Sequence, residues 1–147
     1  MPHVVSSFKI MDGPSHVTLH TYIQGDGISG ELTNYVLLDP ATQVTPNMPR
    51  MQDFIIKQIW YELQGFGVRL LFNATKPWPA WNIAPGASLH HDWRFFGGIR
   101  DHSDSDNFGL DSDGKLLIST TGLATTTNCG TFVLHLEKRD RPNPQPD

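Results

Sequence analysis

Short runs in which apolar and polar side chains alternate, each cut off by glycine or proline, constrain this chain more than any other feature. From His16 to Gln24, Val17, Leu19, Thr21 and Ile23 fall on one side and His16, Thr18, His20, Tyr22 and Gln24 on the other. A period of two is that of a β-strand, whose successive side chains point to opposite faces. Gly25-Asp26-Gly27 and Gly30 supply turn positions, and Leu32 to Leu38 reads as a second strand ending at Asp39-Pro40. Val68, Leu70 and Phe72 alternate with Arg69, Leu71 and Asn73. Leu89, His91, Trp93 and Phe95 alternate with His90, Asp92, Arg94 and Phe96 as far as Gly97-Gly98. Further strands are expected at Val4 to Ile10, Lys115 to Thr121 and Gly130 to Lys138.

Met51 to Leu63 is ambiguous, because Met51, Ile55, Ile59 and Leu63 recur at the four-residue spacing of a helix. The β-branched and aromatic Ile55, Ile56, Ile59, Trp60 and Tyr61 favour a strand from about Phe54. Gly65 and Gly67 then suggest a hairpin into Val68 to Phe72. Between Lys76 and Gly86, Pro77, Pro79 and Pro85 surround Trp78 and Trp81, and the prolines argue for a loop without a regular ladder. Ala41 to Pro49 and Asp101 to Gly114 read as polar connections. The total, about eight short strands, is the pattern of an all-β antiparallel sandwich or jelly-roll-like domain over residues 1–138. Residues 139–147 hold three prolines and no apolar side chain, which predicts an extended arm.

A chain of 147 residues fits one domain with a core of its own. The net charge is −4 and the eleven Lys and Arg are scattered, which argues against direct nucleic-acid binding. Cys129 is the only cysteine, so no internal disulfide is possible. Met1 to Pro14 lacks the cationic and apolar segments of a secretion signal, and no stretch is long and apolar enough to span a membrane. Synthesis and folding in a cytoplasm, without membrane attachment, are the expectation.

Few constellations could carry chemistry. His90 and Asp92, with His135 further along, spell the His-x-Asp and distant His of the non-haem iron facial triad, which also sits on jelly rolls. Against this, His135 lies on the strand face opposite the apolar Phe132, Leu134 and Leu136, and ordinary cross-strand packing of His90, Asp92 and Arg94 is the expected account. Asp101, Asp104, Asp106, Asp111 and Asp113 do not follow a calcium-loop spacing and read as a solvated loop. No serine stands in a nucleophile-elbow setting, Cys129 has no activating base nearby in sequence, and there is no glycine-rich phosphate loop. No catalytic, metal or cofactor-binding residue is therefore expected. Trp78 and Trp81 are the candidate interface residues, as exposed anchors or as rings folded over the end of the sandwich.

The series Asp12-Gly13-Pro14, Gly25 to Glu31 with Leu38-Asp39-Pro40, Ile59-Trp60-Tyr61 with Val68-Arg69-Leu70, Asp92 to Ile99, Asp113-Gly114 before Leu117 to Thr120, and Leu136-Glu137-Lys138 resembles a group of small virion proteins of tailed bacteriophages. These look like capsid decoration or cement proteins. The resemblance implies a β-sandwich on the capsid exterior that binds the major capsid protein, associates with itself as a dimer or trimer and stabilises the mature head. It carries over no active-site residue. Trp78, Trp81, Arg139, Arg141, Pro142 and Pro144 are the expected contacts. A carbohydrate-binding sandwich of a tail fibre is the rival class, and an iron oxygenase using His90, Asp92 and His135 the third.

Overall fold

The computed structural model describes residues 3–13, 15–40, 51–73, 77–86, 88–99, 114–123 and 125–140. Among these it is nearly all β. The strands are β1 (Val4–Asp12), β2 (His16–Gln24), β3 (Tyr35–Leu38), β4 (Met51–Gln64), β5 (Gly67–Phe72), β6 (Trp78–Ile83), β7 (Ser88–Asp92), β8 (Leu116–Thr121) and β9 (Cys129–Asp140). They form a five-stranded sheet in the order β1-β2-β9-β4-β7 and a four-stranded sheet in the order β3-β8-β5-β6, with every pairing antiparallel. Alternation drives the layering. Val17, Leu19, Thr21 and Ile23 of β2 are buried while their neighbours are not, and Phe132, Leu134 and Leu136 of β9 do the same. They meet Val68, Leu70 and Phe72 of β5 and Leu116 and Ile118 of β8 in one apolar core between the sheets.

The ambiguous segment is the long strand β4, which starts at Met51 and pairs with β9 along its length. Its helical spacing is overridden by a register shift between Ile56 and Gln58, which lets both Ile56 and Ile59 face the core. Gly65 and Gly67 do not make a hairpin. They carry the chain from the first sheet to the second, and a Cβ at Gly67 would come within 2.7 Å of the Ile83 carbonyl oxygen, so glycine permits that close crossing.

Trp78–Ile83 is a strand, contrary to the loop expected from its prolines. β6 lies at the edge of its sheet, and its pairing with β5 slips between Leu70 and Leu71, opposite Pro79. An edge strand with an irregular register tolerates a residue that has no N–H to donate. β3 is shorter than expected because residues from Glu31 do other work. The Glu31 carboxylate accepts from Thr120 Oγ1 at 2.8 Å, from the Gly122 N–H at 2.8 Å and from the Leu123 N–H at 3.1 Å, and Asn34 takes a left-handed conformation with φ 50°.

β7 ends at Asp92, where the expected strand ran on to Phe96, and a short 3-10 turn follows at Arg94–Phe96. β9 continues through Asp140, so Arg139, expected to open the arm, instead pairs its backbone with Asp53. Arg141, Pro142 and Pro144 lie outside the described residues, as do the connections at 41–50 and 101–113.

Candidate interaction surface

The first sheet turns one face to the core and the other outward. Register fixes the outer face as rows that cross the strands. One row is Phe8, His20, Val133, Trp60 and His90, and the next is Thr18, His135, Gln58 and Asp92. Side chains in a row are cross-strand neighbours and stack where both are rings. Phe8 stacks on His20 with centroids 4.6 Å apart, and Trp60 lies parallel to His90 at 4.5 Å with 2° between the planes. His16 and His135 stack at 5.3 Å. Beside Trp60, a depression of about 360 Å³ is lined by Glu62, Ser88, His90, Thr131 and Val133 among others.

The three candidate iron ligands do not converge. His90 Nε2 donates to Gln58 Oε1 at 3.0 Å, and His135 Nδ1 shares a hydrogen bond with Thr18 Oγ1 at 3.1 Å. Asp92 receives Arg94 Nη2 at 2.8 Å, Arg94 Nε at 3.0 Å and the Arg94 backbone N–H at 3.0 Å. These bonds hold the Asp92 carboxyl down at about 2 and raise the guanidinium. Gln58 is the register partner of both Asp92 and His135 and stands in the row between them, so those two lie two strands apart from each other. Among the described residues no group of three or more His, Cys, Asp and Glu could hold a metal.

Trp78 and Trp81 are half-buried and packed against the core. Trp78 stacks on Phe72 at 6.1 Å. Trp81 meets Trp93 edge-on at 4.8 Å and His91 at 5.2 Å, and Tyr61 Oη shares a hydrogen bond with His91 Nε2 at 2.9 Å. This aromatic wedge closes the sandwich between the edge strands β6 and β7. Both rings thus stand on an edge strand and pack, half-buried, along the side of the sandwich, not on a loop at its end.

The boldest exposed feature lies just beyond the wedge. Phe95 is 86% exposed and Phe96 56%, with their rings edge-to-face at 4.8 Å. The turn that carries them is braced. At the register shift in β4, the Lys57 carbonyl accepts the Trp93 N–H at 2.8 Å, and Lys57 Nζ donates to the Gly97 carbonyl at 3.0 Å. Gly97 and Gly98 have φ of 91° and 89°, and Ile99 returns to bridge Ile56 through two 2.9 Å backbone bonds. Alternation had placed the two rings on opposite faces of a strand. The signal that points to them is two adjacent phenylalanines ahead of two glycines, a pattern no continuing ladder accommodates. No protein-family model matches this sequence, and no curated protein matches it.

Proposed function

We propose that the chain is a non-enzymatic structural protein of a tailed-bacteriophage particle, seated as a decoration or cement protein on the outside of the major capsid lattice. The observation that carries this reading is the Phe95–Phe96 pair, two exposed rings on a turn tied at both ends to β4. Rings held out on a braced turn lose little conformational freedom on docking, which is the property of a binding anchor. His90, Asp92 and His135 are each committed to separate neighbours, which suits a packed scaffold better than a reaction centre.

A protein that binds only the assembled shell stabilises it by about 2.7 kcal/mol per site at a hundredfold excess over its dissociation constant. Many copies make the sum large. The test compares particles that carry the native protein, a Phe95→Ala, Phe96→Ala variant, or none. The dissociation constant read from occupancy over a dilution series should rise about thirtyfold or more with the double variant, the size expected for truncating a hot spot worth about 2 kcal/mol. Undecorated particles should release their DNA at lower temperature. Equal retention by decorated and bare particles sinks the cement role.

The depression beside Trp60 favours a second reading, a carbohydrate site with Glu62, Ser88 and Thr131 as polar partners. His90 already covers one face of the Trp60 ring, which leaves less of the open platform that sugar stacking uses. Binding on a glycan array that is lost with Trp60→Ala would put this reading first.

A further inference from the structure

We propose that β1 pairs with β1 of a second copy, antiparallel and about a two-fold axis, joining two five-stranded sheets into one. Among the described residues β1 pairs with β2 alone and ends its sheet. The side of an edge strand away from its partner carries a row of unpaired N–H and C=O groups, a template for another strand. β1 is also overhanging. Ser7 and Lys9 stand opposite Thr21 and Leu19 on the core-facing side, yet both are exposed, and every residue of β1 except Val5 is exposed. A second strand can therefore approach the edge without meeting the other sheet.

Edges that must stay single are blunted by charge, proline or a bulge. In β1 those devices guard only one half. Lys9 and the register shift between Lys9 and Met11 protect the end near Asp12, whereas Val4-Val5-Ser6-Ser7-Phe8 has neither charge nor proline.

Register follows from parity, because residues opposed across an antiparallel pair share a face. Centred on Ser6, the seam sets Val4 against the second copy's Phe8 on the outer face and Val5 against its Ser7 on the inner face. The two Ser6 side chains meet at the axis. On the outer face apolar meets apolar and small meets small, and the ladder stays within the regular part of the strand. Centring on Phe8 would draw Ile10 and the bulge into the ladder, and centring on Lys9 would oppose two ammonium groups. The seam also carries the outer row His20–Phe8 on to the second copy's Val4.

Five paired residues span about 17 Å, less contact than a standard interface of about 800 Å² per partner, so the dimer is reversible. Each copy carries a net charge of −4, and salt that screens this repulsion should strengthen the association.

The test needs only purified protein and is decided apart from any role on a capsid. Sedimentation over a dilution series should show a monomer–dimer equilibrium. In a Cys129→Ser background, Ser6→Cys should give a disulfide-linked dimer on oxidation, because directly opposed Cβ atoms lie about 5 Å apart. Thr126→Cys, at an exposed turn, should give no disulfide-linked dimer. Ser6→Lys opposes two charges at the axis and should raise the dissociation constant at least about tenfold with an unchanged circular dichroism spectrum, while Ser6→Thr keeps the dimer. A monomer at every concentration, a dimer indifferent to Ser6→Lys, or equal cross-linking through Thr126→Cys overturns the proposal.

Discussion

Lys138 Nζ lies 2.6 Å from Asp12 Oδ1 and 2.9 Å from the Gly13 carbonyl oxygen, with its side chain only 1% exposed, and so ties the end of β1 to β9 across the intervening β2. The two partners are unequal. Asp12 is 40% exposed, can turn to water, and also receives Lys9, whereas the ammonium has no such exit. A buried charge left without its partner costs more than the pair contributes.

Asp12→Asn should therefore destabilise the fold by about 1–3 kcal/mol, and Lys138→Met, which removes the buried charge, by less. The bond from Lys138 holds the Asp12 carboxyl below its ordinary value of 3.8, against a smaller opposing effect of burial. The stability this contributes is present above that value and is lost as pH falls through the lower folded one. Urea unfolding of the three proteins across the acid range checks both points. Equal losses for the two variants would remove the asymmetry.

How far the sequence spoke is clearest strand by strand. β2 and β9 were legible because each has one wet face and one dry face, so the period of two survives intact. β4 was half-legible, since a register shift at Lys57 breaks the alternation and mimics a helical spacing. β6 was illegible because its prolines signal a loop, and only its place at a sheet edge makes them harmless. The site divides in the same way. Trp78 and Trp81 drew attention as large rings among prolines, yet their partners Phe72, His91 and Trp93 come from elsewhere in the chain, and no local pattern reveals such packing. Phe95 and Phe96 hid inside an alternation that the Asp92 side chain stops by accepting the Arg94 backbone N–H.

His135 on the outer face should make stability fall on mild acidification. His135 has its pKa lowered from 6.5, first by burial and then by the charges of His16, Arg94 and Lys57, with Asp92 pulling the other way. A histidine that resists protonation when folded binds fewer protons than the same residue unfolded. Stability is then fully present above about 6.5 and declines as pH drops from there through the lower folded value. Thermal unfolding followed from about pH 7 to about pH 5 should show this decline, and His135→Gln, which keeps a partner for Thr18, should reduce it. An identical slope in the variant would assign the effect to other groups.

Two glycines with similar backbones separate the role of the braced turn from the ordinary cost of a left-handed residue. Gly98 has φ 89° and Gly86 has φ 75°. An alanine at either position carries the left-handed penalty of about 1–2 kcal/mol. At Gly86 the added Cβ meets nothing within 4 Å, whereas at Gly98 it comes within 2.6 Å of Ile55 Cγ2 and 2.8 Å of the Ile56 carbonyl oxygen. That carbonyl accepts the Ile99 N–H at 2.9 Å, so the clash falls on the bridge that returns the turn to β4. Gly98→Ala must move the turn or the strand, and should cost about 1–3 kcal/mol more than Gly86→Ala in urea unfolding. If the chain decorates a capsid as proposed, the same variant should loosen the support under Phe95 and Phe96 and weaken binding to particles, while Gly86→Ala binds as the native protein does. If Gly98→Ala is the less stable of the two but binds unchanged, the rings do not depend on their brace, and preorganisation is not what makes them an anchor.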